Sequence, residues 1–211
     1  MAERPAYCIS NGKVTVKNYS FEWFSGFSVS QKQKSIDSLH NAILKTDNSA
    51  VPLEVSTKSK NLLGVKLSAF NLKLDGYTLE NIFQSSKVFA YGGAYRDLLE
   101  VSPKDAKRDL RLKNSGALKS FDYNGEIFPL FPKTVFYDYI YIKSVKQSLT
   151  AEEILQIKEY NYFTDIEFNP NKSINTQAKS VAIIRLMLDM YDNIPDFSKD
   201  DFIDFHNKYV K

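Results

Sequence analysis

Apolar positions recur at two periods along this chain, and the longer runs carry the helical one. Ile36, Leu39 and Ile43 repeat at three- and four-residue intervals, as do Val181, Ile184, Leu188 and Tyr191, and later Phe202, Phe205 and Tyr209. That spacing lines one stripe of an α-helix against a core. The starts are marked too: Ser30-Gln-Lys-Gln33 and Thr150-Ala-Glu-Glu153 read as capping boxes, Ser102-Pro103 as a cap before a first-turn proline, and Thr134 and Ser198 as further caps. A side-chain oxygen at each start serves a free N–H of the first turn. Helices are predicted from 30 to about 45, from 103, through 135–142, from 151 through Ile157, over 178–191 with Pro195 as a stop, and from 199.

Strand signals are shorter. Residues 5–29, rich in aromatic and β-branched types, contain the alternating Val14-Thr-Val16, and Leu53-Glu-Val-Ser56 alternates likewise. Residues 65–72 predict a further extended segment, and residues 164–170, acidic and rich in Asn and Pro, a loop suited to presenting a carboxylate. Without an internal repeat or linker, the pattern predicts one α+β, mainly α domain over residues 1–211, with about 50 N-terminal residues packed on it as an extension.

One stretch carries two faces. Asp75-Gly76 is a turn, Thr78 a cap, and residues 78–90 a predicted helix closed by Gly92-Gly93. Leu79, Ile82, Phe83 and Phe89 form its apolar stripe, while Glu80, Gln84 and Lys87 fall at i, i+4 and i+7 on the neighbouring one. A solvated helix face and one wall of an active site both fit that polar stripe.

Composition narrows the field. The chain is 43% hydrophobic with 15 Phe and 13 Tyr, so a well-filled core is within reach, and a net charge of +3 argues against a protein that coats a nucleic-acid backbone. Cys8 is the only cysteine, which excludes an internal disulfide and a cysteine-based zinc site. His40 and His206 are the only histidines; His40, beside the apolar face of its helix, reads as a hydrogen-bonded structural residue. Acid–base chemistry therefore falls to carboxylates and lysines. The N-terminus lacks a signal-peptide h-region and no apolar run reaches membrane-spanning length, so a cytoplasmic protein without metal or cofactor is expected. The most basic surroundings are those of Lys104, Lys107, Arg108, Arg111 and Lys113, where a solvated face and a pyrophosphate cradle are the two alternatives.

Glu80 with Phe83-Gln84 and Lys87 resembles the glutamate, Phe/Tyr-Gln and lysine segment of the NADAR (YbiA-like) family. Leu67-Ser-Ala-Phe70 is similar to that family's Leu-Ser-Asn-Phe, Pro103 with Ala106 and Arg111 to its Pro-x-x-Ala helix and arginine, and Asp165, Phe168 and Asn175 to its Asp-x-x-Trp-Gly...Asn loop. The likeness runs from about Glu54 to Arg185. Phe27-Ser-Val-Ser-Gln-Lys-Gln-Lys34, Phe83-Gln-Ser-Ser-Lys-Val-Phe89 and Ala106-Lys-Arg-Asp109 resemble the branch associated with DarT-type DNA-ADP-ribosylating toxins. Phe128 and Phe168 stand where tryptophan is usual and Asn169 where glycine is; stacking survives a Trp-to-Phe exchange with less contact area.

The resemblance implies an ADP-ribosylglycohydrolase that removes ADP-ribose from guanine bases in DNA, an antitoxin whose partner is ADP-ribosylated DNA and whose link to its DarT-type toxin is functional rather than physical. It implies Lys87, Glu80 and Asp165 as catalytic residues, with Lys87 as nucleophile, and Ser68, Phe70, Gln84, Arg108, Arg111, Phe128, Phe168 and Asn175 as ligand contacts. Two alternatives stay open: an N-glycosidase acting on riboflavin-pathway intermediates, and a non-catalytic ADP-ribose-binding module.

Overall fold

The computed structural model describes residues 1–171 and 173–210. Strands β1 (Ala2–Ser10) and β2 (Lys13–Phe21) form an antiparallel hairpin, followed by α1 (Val29–Thr46), β3 (Pro52–Glu54) and α2 (Leu62–Lys66). The short hairpin β4 (Lys73–Leu74) and β5 (Tyr77–Thr78) turns at Asp75-Gly76 and delivers the chain into α3 (Leu79–Ser85) and β6 (Lys87–Phe89). Next come α4 (Pro103–Arg108), α5 (Arg111–Asn114), β7 (Leu118–Tyr123), β8 (Glu126–Phe128), α6 (Val135–Ser148), α7 (Ala151–Leu155), β9 (Tyr162–Thr164), α8 (Gln177–Tyr191) and α9 (Lys199–Tyr209). The expected α+β, mainly α architecture is present as one domain.

Helix α8 lies at the centre. Every residue from Gln177 to Ile184 is buried, a helix enclosed on all sides rather than striped. It packs on α6, whose Phe136 stacks on Phe121 at 4.6 Å and contacts Phe128 and Phe83. The sheet β2-β1-β9-β3 joins the N-terminal hairpin to this core, with β9 antiparallel to β1 and parallel to β3. A second cluster, Ala6, Cys8, Tyr19 and Phe21 against Ile36, Leu39 and Ile43, closes on Tyr162 and Ile166. The predicted apolar stripe of α1 is therefore what seats the N-terminal layer on β9.

Local differences from expectation have identifiable causes. Helix α1 is capped by Ser28, whose Oγ accepts from the Gln31 N–H, and not by Ser30. Thr150 makes both bonds of its predicted capping box, and Ser102 and Ser198 cap as expected. Thr134 precedes α6 but sits at φ +69° without a side-chain cap, its hydroxyl donating to Asp138 instead. Residues 65–72 are not extended: Asn61 caps α2 through the Leu63 N–H, and turns at Ser68 follow. Helix α3 ends at Ser85, because the Asp122 N–H takes the Ser86 carbonyl at 2.7 Å and pulls the next residues into β6 beside β7. Gly92-Gly93 consequently caps no helix; Gly93 sits at φ +97° where a Cβ would lie 2.2 Å from the Lys87 carbonyl oxygen.

Candidate functional site

Two groups of side chains, carried by different elements, border one region around Tyr137. The first belongs to α3 and β6. Thr78 caps α3 by accepting from the Asn81 N–H, and Asn81 in turn donates to the Leu98 and Val101 carbonyls, fixing the helix against the following loop. Glu80 and Gln84 then share one face, and the break at Ser86 turns Lys87 back toward them. The Lys87 ammonium donates to Gln84 Oε1 at 2.7 Å, and Gln84 Nε2 donates to Glu80 Oε1 at 2.7 Å. Glu80 and Lys87 thus do not pair directly; the buried Gln84 amide bridges them.

Lys87 Nζ also lies 4.9 Å from the centre of the Phe83 ring. Burial pushes its pKa down, against the opposing pull of Glu80, so more of the amine is neutral than for an exposed lysine. A neutral amine is the nucleophilic form. Lys107 of α4 approaches the outer oxygen of Glu80 at 3.9 Å from an exposed position.

The second group surrounds Asp165, which follows β9. Its Oδ1 accepts from the Glu167 and Phe168 N–H groups at 3.1 and 3.2 Å. Gln177 Oε1 accepts from the Ala69 N–H at 2.7 Å, which brings the Ser68-Ala69-Phe70 segment alongside. Asp165 is 7% exposed, and burial, reinforced by the charge of Glu54, raises its pKa to about 8.

Tyr137 of α6 connects the two groups. Its half-buried ring meets Phe83 edge-on at 5.8 Å, and among the described residues its hydroxyl has no hydrogen-bond partner. Burial raises its pKa, and the fields of Asp165, Asp138 and Glu80 add to the effect, so the carboxylates of both groups act on one phenol. Sequence offered no means of separating this tyrosine from the core residues Tyr139 and Tyr141 beside it.

The remaining expected contacts divide. Ser68 is wholly buried, its hydroxyl without a hydrogen-bond partner among the described residues, while Phe70, 83% exposed, follows two residues later. Phe168 and Asn175 are half-buried in the loop after β9, and Arg108 is exposed at the end of α4. Arg111 is committed elsewhere: its guanidinium bonds both carboxylate oxygens of Asp97, binds Asp109 through Nε and Nη2, and lies 4.5 Å from the Tyr95 ring centre. It clamps the loop before α4 to α5 instead of standing open for a pyrophosphate. Phe128 is 0% exposed, wedged between Phe136 and Tyr139, and presents no face to a ligand.

Among the described residues no cluster of His, Cys, Asp and Glu could hold a metal ion, and no helix is long and apolar enough to cross a membrane. A protein-family model described as the DarT1-associated NADAR antitoxin matches residues 2–211. The chain belongs to that family. No match was found among curated proteins. The NADAR match takes in the N-terminal hairpin and α1 as well as the segments carrying Lys87 and Asp165, so the layer that braces β9 belongs to the same family unit. Besides Tyr137, sequence did not single out Glu54 of β3, which lies behind the candidate site and accepts from the Ile166 N–H, one residue beyond Asp165.

Proposed function

We propose that this NADAR antitoxin is an N-glycosidase that removes ADP-ribose from guanine bases in DNA. The observation that supports it most is the buried amine of Lys87 tied through Gln84 to Glu80, whose charge, like that of the buried Asp165, acts on the Tyr137 phenol. Two groups whose environments drive their pKa values toward neutrality from opposite sides suit a nucleophile and an acid working together.

The chemistry follows from those states. When the ribose ring opens, its anomeric carbon becomes an imine of the guanine nitrogen, and the Lys87 amine adds to that carbon. The guanine nitrogen leaves with a proton from Asp165, and water hydrolyses the resulting lysine imine to free ADP-ribose. Gln84 and Glu80 orient Lys87, with Glu80 placed to hold a ribose hydroxyl. Phe70, Phe168 and Asn175, which keep exposed surface, are assigned to ligand contact on the Asp165 side, whereas Ser68 is as enclosed as Phe128, and Arg108, free of the carboxylates that hold Arg111, is assigned to the pyrophosphate. The lowered Lys87 pKa favours this over a simple ADP-ribose reader, which has no use for a neutral amine.

Incubation with guanine-ADP-ribosylated single-stranded DNA, followed by chromatography of the products, is expected to give free ADP-ribose and unmodified guanine. Release from an aminouracil ribotide at an equal or greater rate would transfer the proposal to riboflavin-pathway substrates. Binding of ADP-ribose without release from DNA would reduce the protein to a reader.

A further inference from the structure

We propose that Glu54, a residue outside the ligand site, is the positioning residue that keeps the Asp165 carboxyl protonated and thereby makes it the proton donor of the reaction. The role as donor rests on the proposed function; the protonated state does not.

The parallel pairing of β3 with β9 places Glu54 opposite Thr164, and the Glu54 carboxylate reaches both chain neighbours of Asp165. Thr164 Oγ1 donates to its Oε2 at 2.7 Å, the Ile166 N–H to its Oε1 at 2.8 Å, and Ser56 Oγ to the same oxygen at 2.7 Å. Three donors on a residue 2% exposed are the solvation an ionised carboxylate requires when water is excluded. The chain of donors extends one residue further. His40 Nε2 lies 2.9 Å from Thr164 Oγ1, and since that hydroxyl spends its proton on Glu54, the imidazole must supply an N–H. Burial lowers the His40 pKa to about 4, which keeps the ring neutral and leaves no positive charge to offset Glu54.

Asp165 is less well provided. Its identified donors are two longer backbone contacts, and its pKa rises to about 8, first through burial and then through the Glu54 charge. Two buried carboxyl groups in one site do not both ionise near neutrality, and the better-solvated one keeps the charge. Burial raises Glu54 as well, but Ile166, Thr164 and Ser56 draw it back, so the proton falls to Asp165.

The other charges around Asp165 do not reverse this. Arg4 and Tyr7 of β1, and Tyr137 and Tyr141 of α6 with Asp138 behind them, sense its charge from their own sides. Of these only Arg4 is cationic, and burial lowers its own pKa. On the Asp165 loop Glu167 is negative and is matched by Lys32 of α1 at 3.1 Å, while Lys179 of α8 is spent on Thr134 and Asp138.

The test is a carbon-13 side-chain carboxyl NMR titration of the full chain, with Asp165→Asn assigning the resonance, on wild type, Glu54→Gln and Thr164→Val. Wild-type Asp165 is expected to titrate near 8, and both variants to lower its midpoint by a pH unit or more. Glu54→Gln removes the neighbouring charge; Thr164→Val removes a donor that stabilises that charge. A wild-type midpoint in the ordinary carboxylate range, about 4, or a midpoint unmoved by either variant, overturns the proposal, and the wild-type result decides even if a variant does not fold. On guanine-ADP-ribosylated DNA the alkaline limb of the rate profile is expected to move with the NMR midpoint. A merely structural Glu54 would lower turnover at every pH and leave the limb in place. Absence of turnover in wild type would sink the enzymatic proposal while the titration still judged this one.

Discussion

The smallest unit on which the proposed chemistry rests is the relay Lys87 to Gln84 to Glu80. Sequence spacing placed all three on one helix stripe, and the three do converge, though for a different reason. Lys87 belongs to a strand, and it reaches Gln84 because the chain reverses at Ser86. The residue types were legible through the family resemblance, since a carboxylate, an amide and an amine at that spacing fit a solvated helix face equally well. Glu54 and Tyr137 were not, since each is one polar tip in a segment patterned for burial. Asp165 carries a cost in stability. Its folded-state pKa of about 8 lies above the unfolded value of about 4, so the folded chain keeps a proton that the unfolded chain has released, and stability falls as pH rises between those limits. Replacement by Asn, which retains an acceptor for the Glu167 and Phe168 N–H groups, removes that dependence. Asp165→Asn is expected to unfold at higher denaturant than wild type at pH 8, the gap narrowing by up to about 1.4 kcal/mol per pH unit toward pH 4, and to lose turnover. Equal stabilities across that range would show that Asp165 ionises normally.

At the scale of elements, three short strands matter more than the long helices. The signals in α1 and α9 were readable because burial there repeats every three to four residues, and those in α6 and α8 because long apolar runs fill helices buried on nearly every side. Strands β3, β6 and β9, three residues each, offer no such run, and they position Glu54, Lys87 and the start of the Asp165 loop. The paired glycines show the same limit: a helix stop and a close backbone crossing demand the same residue, and only tertiary contact tells them apart. At Gly93 the crossing is against Lys87 itself. Gly93→Ala is expected to displace β6 and reduce turnover at least tenfold, with a smaller fractional loss of thermal stability, because the Cβ meets backbone that has no rotamer to escape into. Wild-type turnover in a folded Gly93→Ala protein would mean that the β6 backbone tolerates the shift without moving the amine. Gly64 makes the comparable approach to the Glu54 carbonyl from α2, with a would-be Cβ 2.0 Å away.

For the molecule as a whole, a second polar network ties the C-terminal helix to the centre. Asp138, 1% exposed, accepts from Thr134, Ser180 and His206, with Lys179 at 3.8 Å. Burial alone would raise its pKa, but His206, Lys179 and Ser180 together hold it below the ordinary value. Removing one partner of such a network leaves the others buried and uncompensated, so Asp138→Ala is expected to cost about 3–5 kcal/mol by chemical denaturation; a cost under 1 kcal/mol would mean that water reaches the site. The overall α+β character and the apolar stripes of α1 and α9 were open to reading from sequence, whereas the passage of β9 between the N-terminal hairpin and β3 was not, because three residues pairing across such distances in the chain leave no periodic trace. That passage fixes the start of the Asp165 loop, and the proposed site requires its carboxyl to converge with the Lys87 amine, as the action of both Asp165 and Glu80 on Tyr137 suggests. The most direct check on that convergence is covalent capture: treat the protein with ADP-ribosylated guanosine in the presence of borohydride and map the product by mass spectrometry. A reduced ADP-ribose adduct on Lys87, lost in Lys87→Ala together with turnover, is the predicted result; full turnover by Lys87→Ala would contradict the account.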